Sequence, residues 1–275
     1  MAAAMSEAMD NFKTASIGER LKHWRTQKQV SQLDLALDCD TSARHVSFIE
    51  TGKAHPTRDL LIALAEALTI PVSALNNMLI AAGYAPQYKT TGLDSIEMNL
   101  VRGVLENMVL HNGSTPSLLI DPLWNITFSN DAFIRLCHCF IGNAELLEQQ
   151  PLNLLRLVLH PQGLISACTD PSQLYRALMS RARRDMTVQE NNPDSVKLMV
   201  EMTDYKPEQL GEDYMIPPQL MVPLTLKKGR DIISLSALTA TLGEPLTITL
   251  RELQLEFLIP ADQASQQFLD KLMQD

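Results

Sequence analysis

The stretch from Val30 to Arg58 constrains the fold of this chain more than any other, because two helical patterns follow each other across a tight break. Ser31 precedes an amphipathic run and Asp34 lies three residues later, a spacing in which both side chains can satisfy backbone amides at a helix start. We expect a short helix from Gln32 to Asp38, which Cys39-Asp40-Thr41 interrupts. Two short helices across such a break predict a helix-turn-helix.

The second helix of this motif would carry one apolar face and one polar face. Thr41 or Ser42 can cap its start, and Gly52 would end it as a left-handed cap. Val46 and Ile49 are spaced i, i+3 and predict a side that packs on a core. A base-reading helix needs, on its other side, a small residue for close approach, an arginine for guanine and an apolar atom for the thymine methyl. The residues that we expect to meet DNA on this helix are Ala43, Arg44, His45, Ser47 and Phe48.

Four polar side chains around the motif are expected to hold phosphates. Cations and amides at the ends of such helices commonly fix the register of a protein on DNA. We assign this role to Gln32, Ser42, Lys53 and Arg58. An ordinary pair of amphipathic helices with a solvated face is the competing interpretation of the same pattern.

The distribution of charge places the DNA contacts in the first half of the chain. The net charge is −9 over 275 residues. Residues 1–90 hold nine basic and nine acidic side chains, which leaves 14 basic and 23 acidic ones for the remainder. A strongly acidic second half is not a nucleic-acid surface. Since the first half is only balanced, we expect few phosphate contacts and a shallow salt dependence.

The composition predicts a cytoplasmic protein. Hydrophobic residues make up 45% and charged residues 20%, the usual mix of soluble globular proteins. No apolar run approaches the roughly 20 residues that span a bilayer, and the first ten residues lack the pattern of a signal peptide. The four cysteines are therefore expected to be reduced.

No residue pattern indicates an enzyme, a metal or a cofactor. Cys137, His138 and Cys139 are metal-ligating types, but consecutive helical residues point about 100° apart and cannot converge on one ion. The chain contains no glycine-rich phosphate loop, HExxH or GxSxG. We expect no catalytic residue, no metal and no cofactor.

Helical spacing continues on both sides of the motif and completes an all-α domain of five helices. Ser16 and Glu19 form a capping box before a helix that runs to about Lys28, and two further helices lie between Pro56 and Gly83. The predicted organisation is a flexible arm at 1–15, a DNA-binding domain at 16–83, a linker at 84–93 and a second domain at 94–275.

The second domain changes period, which predicts an α+β fold. An apolar run at Ser117–Ile120 and the alternation of Trp124, Ile126 and Phe128 predict a hairpin. Helical patterns dominate the middle, and about three strands follow from Gln219. Two strands, a helical insert and three strands suit an antiparallel sheet with helices covering one face, an order that is PAS-like.

Two resemblances sharpen these expectations. SQLDLA, TSARHVSFIETGKAHPTRDLLIALAEAL and LNNMLIAAGYAP are similar to the DNA-binding domains of XRE-type, lambda-repressor-like regulators. TPSLLIDPLWNITFSNDAF, LNLLRLVLHPQGL and the strands from MVPLTL to LIPAD look like an MmyB-like ligand-binding domain. Trp124, Asn130 and His160-Pro161 match positions of that family. The second resemblance implies a PAS-like fold and ligands of the fatty-acid type.

A ligand pocket is the hypothesis for the second domain. The run at 152–160 is apolar nearly all round, except for Asn153, Arg156 and His160 on one side. Arg156 and His160 lie i, i+4 and could hold a carboxylate at the end of an apolar cavity. In the alternative, both lie on the solvent side of a packed core. The expected ligand contacts are Trp124, Ile126, Phe128, Asn130, Arg156, His160 and Tyr175.

The sequence as a whole predicts a homodimeric, sequence-specific transcription regulator that binds operator DNA and a small apolar ligand. A homodimer is expected because one small helix-turn-helix reads too few base pairs, and the helix from Asp94 is the candidate interface. One alternative is an interaction module, such as an antitoxin-like partner, without a ligand. The other is a repressor that cleaves itself at Ala82-Gly83, where a helix cap is the plainer interpretation.

Overall fold

The computed structural model describes residues 16–88, 99–187, 192–208, 223–241 and 253–274. The chain forms two compact units, the first mainly Met1–Thr90 and the second most of the chain from Thr91 onward. The predicted arm at 1–15 and residues 89–93 of the predicted linker lie outside the described residues.

Five helices occupy residues 16–88, and local capping determines where they begin. Side-chain oxygens of Ser16, Ser31, Ser42 and Thr57 accept backbone N–H groups at four of these starts, and Ser16 with Glu19 forms the predicted capping box. Ser42, and not Thr41, caps the second helix of the motif. The helices are α1 (Ile17–Gln27), α2 (Gln32–Asp38), α3 (Ala43–Glu50), α4 (Arg58–Ala67) and α5 (Val72–Ala81).

Three glycines shape the first unit. Gly52 ends α3 at a φ of 70°, as the sequence predicts. Gly18 lets α1 approach α3 closely, because a Cβ there would lie 2.2 Å from the carbonyl oxygen of Ile49. Gly83 has a φ of 76° directly after the Ala82 cap of α5, which is the geometry of a helix end.

The second unit is built on an antiparallel sheet, which confirms the α+β prediction. Its described residues form five strands in the order β2-β1-β5-β4-β3, the order of a PAS-like sheet. The strands are β1 (Ser117–Ile120), β2 (Ile126–Ser129), β3 (Pro223–Lys228), β4 (Asp231–Thr241) and β5 (Gln254–Pro260). The helices are α6 (Asn99–Leu110), α7 (Asp131–Phe140), α8 (Glu145–Glu148), α9 (Leu154–Leu159), α10 (Pro171–Thr187), α11 (Pro193–Asp204) and α12 (Gln263–Leu272).

Helices cover both faces of this sheet, and not one face as the sequence indicates. On the inner face, strand residues such as Leu118 and Leu235 belong to a large core that includes α7, α9, α10 and α11. On the outer face, Leu105 and Val109 of α6 pack against Leu255 and its neighbours. The unit therefore has two apolar layers with the sheet between them.

A bulge in β2 overturns the prediction that Trp124, Ile126 and Phe128 share one strand face. Phe128 pairs with Leu119 and Ile126 with Ile120, so β2 has one residue more than β1 between these pairs. An added residue turns the side chains beyond it to the other face. Ile126 packs on the inner core and Phe128 on the outer cluster, while Trp124 precedes the strand.

The apolar run at 152–160 forms a shorter helix than its pattern predicts. Asn153 stands before α9 as its cap, and its Nδ2 donates to the Leu123 carbonyl oxygen at 2.8 Å. His160 follows the helix as its C-terminal cap. The predicted line of Asn153, Arg156 and His160 along one helix side is therefore wrong, because the two outer residues lie outside the helix.

The two cysteines of α7 differ in burial. Cys137 is buried in the inner core, and this burial raises the pKa of its thiol to about 12. The neighbouring Cys139 is half-buried and accepts a 3.5 Å contact from the Lys228 ammonium.

Among the residues that the structure describes, no helix is both long and apolar enough to cross a bilayer.

Candidate DNA interface and ligand cavity

The helix α3 presents four of the five predicted base-reading residues on the side away from the core. Val46 and Ile49 are completely buried. The other side is accessible, with Arg44 exposed and its neighbours half-buried. The residues placed there are Arg44, His45, Ser47 and Phe48, whereas Ala43 packs against the buried core of the first unit.

Arg44 lies over Phe48 on this accessible side. The guanidinium carbon of Arg44 lies 5.1 Å from the centroid of the Phe48 ring, a cation–π arrangement at i, i+4. This pair combines a forked donor with an apolar surface. Such a combination suits a guanine edge beside a thymine methyl.

A buried carboxylate holds α1 and the two helices of the motif together. Glu50 accepts from Arg25 Nε at 2.6 Å and Nη2 at 3.0 Å, and from Gln32 Nε2 at 2.6 Å. The side chains of Arg25 and Glu50 are only 11% and 1% exposed. Since the Gln32 amide has two N–H groups, one can hold Glu50 while the other faces a phosphate.

The other predicted phosphate contacts differ in what they bind within the unit. The Ser42 hydroxyl accepts the His45 N–H at 3.1 Å and so caps α3. Lys53 is exposed just after α3. Arg58 is half-buried at the start of α4 and donates to the Gln87 side-chain oxygen. The DNA contacts of these residues stay predictions.

The second unit contains a cavity of about 270 Å³ between the inner face of the sheet and the helices α9 and α10. Twelve of the sixteen described residues that line it are apolar, among them Leu118, Val158 and Leu174. Its polar lining residues are Arg181, Arg184, Thr239 and Glu256. A mostly apolar cavity with a few clustered polar groups is typical of small-molecule sites.

An ion-pair network forms the polar end of this cavity. Arg181 Nη1 donates to Glu256 Oε2 at 3.2 Å, and Arg181 Nε lies 3.6 Å from Asp185 Oδ2. Glu256 belongs to β5, and only 3% of this charged residue is exposed to solvent. Burial raises the pKa of Asp185, and the nearby Arg181 opposes that shift. The guanidinium carbon of Arg181 lies 4.6 Å from the centroid of the Trp124 ring.

One of the seven predicted ligand contacts, Trp124, lines this cavity. The Asn130 amide instead caps α7, where its Oδ1 accepts from Ser117 and Phe133 backbone N–H groups. The Tyr175 hydroxyl donates to the Met202 carbonyl oxygen at 3.0 Å. The residues that the structure does not bring to the cavity are Ile126, Phe128, Asn130, Arg156, His160 and Tyr175.

The predicted cationic anchor, Arg156 with His160, lies outside the cavity. This is the arrangement of the alternative interpretation, in which both residues lie on the solvent side of a packed core. Arg156 Nε and Nη2 donate to the two oxygens of Glu201 at 2.8 and 2.7 Å. The Arg156 side chain is 31% exposed. The rings of His160 and Tyr205 meet edge to face, with centroids 5.1 Å apart. Arg156 already has a carboxylate partner, so it does not end the cavity.

Arg181 and Glu256 are the cavity residues that the sequence does not reveal. Arg181 begins the basic run RARR, which reads as a solvated helix end. Glu256 alternates with apolar residues along its strand, which reads as the solvent side. The role of Glu256 can be inferred only once both faces of the sheet are known to be covered, because a buried carboxylate then needs a cationic partner.

Comparisons with known proteins match each half of the chain to a family model. Residues 21–75 match the helix-turn-helix family, and residues 101–272 match the MmyB-like transcription regulator ligand binding domain. Among curated proteins, none matches the chain. A solved structure titled "Structure of an RNA-binding Light-Oxygen-Voltage Receptor" aligns at 14% identity over 98% of this chain and 66% of that chain. Its TM-score of 0.28 is too low to support an inference.

The helix-turn-helix match defines a DNA-binding protein. Because the ligand-domain match spans more than half of the chain, the chain belongs to the MmyB-like transcription regulators. This confirms both resemblances seen in the sequence. The protein is a DNA-binding transcription regulator with a ligand-binding domain, and both matched families are domains of regulators and not of enzymes.

Proposed function

We propose that this regulator acts as a homodimer that reads an operator with α3 of each protomer and binds a small apolar ligand in the cavity. The DNA-binding domain would comprise 16–83 and the ligand-binding and dimerisation domain 94–275, joined by a linker at 84–93. Ligand occupancy would change the affinity for the operator.

The accessible side of α3 supports the DNA half of this proposal. Arg44 would donate to a guanine, with Phe48 beside a thymine methyl and Ser47 near the same bases. Lys53 and Arg58 would hold phosphates at either end of the loop after α3. The buried Arg25–Glu50 pair keeps α1 and α3 in a fixed relation, which a docking surface requires.

The cavity is the observation that carries the ligand half. Its volume of about 270 Å³ is near the lower end of the usual range for small-molecule sites, roughly 300–1,000 Å³. Leucines from helices and strands surround it, so a hydrocarbon chain of fatty-acyl type fits its chemistry. A solid-core interaction module would not contain such a space.

Native mass spectrometry of the full-length protein tests the ligand and the dimer together. We expect a dimer that carries additional mass, and we expect that mass to disappear after mild denaturation. An operator selected from random duplexes should then be bound differently by the loaded and the stripped protein. A stripped mass equal to the native mass, together with no thermal shift from any lipid, would favour the interaction module.

A further inference from the structure

Residues 84–88 follow α5 and bind back onto the first unit, although the sequence predicts a linker there. Asn76 of α5 holds their far end. Its Oδ1 accepts the backbone N–H groups of Gln87 at 2.8 Å and Tyr88 at 3.1 Å, and its Nδ2 donates to the Tyr88 carbonyl oxygen at 2.7 Å. Asn76 is only 6% exposed, so the loss of these bonds would leave a buried amide without partners. The amide therefore fixes residues 84–88, which we call the strap.

The strap also supports the loop that joins α3 to α4. At the start of this loop, the Phe48 carbonyl oxygen accepts the N–H groups of Lys53 and Ala54 at 2.8 and 3.1 Å. At its end, the Tyr84 hydroxyl donates to the Pro56 carbonyl oxygen at 3.0 Å. The loop is therefore fixed on α3 at one end and on the strap at the other.

Arg58, the predicted phosphate contact at the start of α4, is the third point that the strap holds. Arg58 Nη2 donates to the Gln87 side-chain oxygen, while the backbone of Gln87 stays on Asn76. A guanidinium has five N–H groups, so one can bind Gln87 while others face a phosphate. Because arginine has a large rotamer entropy, fixing its side chain before association reduces the cost of binding. Gln87 thus prepares Arg58 for an anion in the absence of DNA.

We propose that Gln87 is a positioning residue for DNA binding, which holds the Arg58 guanidinium where it contacts a backbone phosphate of the duplex. The strap is then part of the DNA-binding domain, and the proposed linker begins only after it. This inference rests on the proposed function, because it needs a phosphate contact of Arg58. Since phosphates carry no sequence information, the strap raises the affinity for all duplexes and not the discrimination among them.

Gln87→Ala in the full-length protein tests this role on the selected operator and on random DNA. Gln87 is exposed, so its truncation should leave the thermal stability unchanged. We expect both duplexes to bind about two- to tenfold more weakly, as the loss of one pre-ordered side chain implies. The matched control is Gln27→Ala, which removes the same type of exposed side chain from the end of α1 and should leave both affinities unchanged.

A double variant distinguishes positioning from a direct contact of Gln87 with DNA. If Gln87 acts through Arg58, Gln87→Ala should have no further effect on DNA affinity once Arg58→Ala is present. Additive effects would show that Gln87 acts independently of Arg58 and would overturn the inference. A Gln87→Ala variant that binds as tightly as the wild type, or more tightly, also overturns it.

Hydrogen exchange tests the strap without any substitution. The amide N–H groups of Gln87 and Tyr88 both donate to Asn76 Oδ1, so they exchange when the strap opens. Because phosphate binding and closure of the strap favour each other through Arg58, the operator should slow this exchange. Exchange of these two amides at the same rate with saturating operator would contradict the coupling.

Arg58→Ala alone separates the failure of this inference from that of the proposed function. We expect it to weaken both duplexes alike and to reduce the salt dependence by about one ion. If it changes neither quantity, Arg58 contacts no phosphate and the inference is overturned, while an operator preference that depends on Arg44 keeps the DNA half of the proposed function. If the wild-type protein prefers no duplex, that half of the proposed function fails as well.

Discussion

At the scale of a single residue, the substitution Arg44→Ala tests whether α3 reads bases. Its guanidinium is exposed beside Phe48, and a bidentate contact to guanine contributes about 1–3 kcal/mol to discrimination. Arg44→Ala should therefore reduce the difference in affinity between the operator and random DNA by about tenfold or more. Titration of both duplexes at a fixed salt concentration measures this ratio.

Lys53→Ala is the matched control for Arg44→Ala. A phosphate contact carries no sequence information, so its loss should weaken all duplexes alike and reduce the salt dependence by about one ion. A folded Arg44→Ala variant that still prefers the operator as strongly as the wild type would show that another element reads the bases.

The Arg156–Glu201 pair predicts a small dependence of stability on pH. Hydrogen bonds from Arg156, and then from Tyr205, hold the pKa of Glu201 below its ordinary value of 4.5. A lowered folded-state pKa means that the pair stabilises the second unit above about pH 4.5 and loses this effect as the pH falls through the folded value. Because about a third of each side chain is exposed, the stabilisation is at most about 1 kcal/mol.

Glu201→Gln should therefore lower the free energy of unfolding at pH 7 by more than it does at pH 3. Urea titrations at both values measure the difference. Arg156→Gln should give the same pattern, and the double variant should be no less stable than the worse single variant, because both changes remove one interaction. A destabilisation that is equal at both pH values would contradict the assigned pair.

At the scale of elements, the contact of α1 with α3 depends on the absence of a side chain at Gly18. A methyl group there would lie 2.2 Å from the Ile49 oxygen and 2.8 Å from the Glu50 oxygen, and both are backbone atoms. Gly18→Ala should therefore force the two helices apart and destabilise the first unit by about 2–4 kcal/mol. Denaturation followed by Trp24 emission, with Gly18→Ala and its parent protein both made in a Trp124→Phe background, reports this unit.

Gly103 in α6 gives the opposite expectation from the same substitution. A Cβ at Gly103 meets nothing within 4 Å. Gly103→Ala should then stabilise the second unit by about 0.5–1 kcal/mol, because alanine has the higher helix propensity. If both variants were equally stable, the close approach at Gly18 would not be a constraint on the packing of α1.

At the scale of the whole molecule, the outer surface of the second unit is the proposed homodimer interface. Val104 and Met108 project from α6 with 53% and 46% exposure, and Leu238 on the outer sheet face is 46% exposed. Exposed apolar side chains on one side of a unit are typical of association surfaces. Met108→Asp should therefore shift the full-length protein from dimer to monomer, as measured by sedimentation at micromolar concentration.

Leu37→Asp is the control for this surface. Leu37 is 70% exposed on α2 of the first unit, so the same change of an apolar side chain there should leave the dimer intact. The wild-type protein must itself sediment as a dimer under these conditions, and a monomer would reject the proposed association.

Local interactions explain what could be predicted from the sequence. The helix starts at Ser16, Ser31 and Ser42 depend on hydrogen bonds between residues three apart, so a short segment of sequence is enough to predict them. The period of two likewise predicted the strands, and the order of elements predicted the PAS-like sheet. The accessible side of α3 followed from helical spacing, because α3 packs its other side on the core, and its contact with bases stays a prediction.

Only the tertiary structure determines where the ligand cavity lies and which residues line it. Arg181 and Glu256 are 75 residues apart and meet only because β5 lies in the centre of the sheet opposite α10. The bulge in β2 depends on pairing with β1, and it separates Ile126 from Phe128 although their spacing suggests one face. Period and spacing describe which residues share a side of one element. They do not determine which sides of two elements face each other, since that depends on long-range packing of the whole unit.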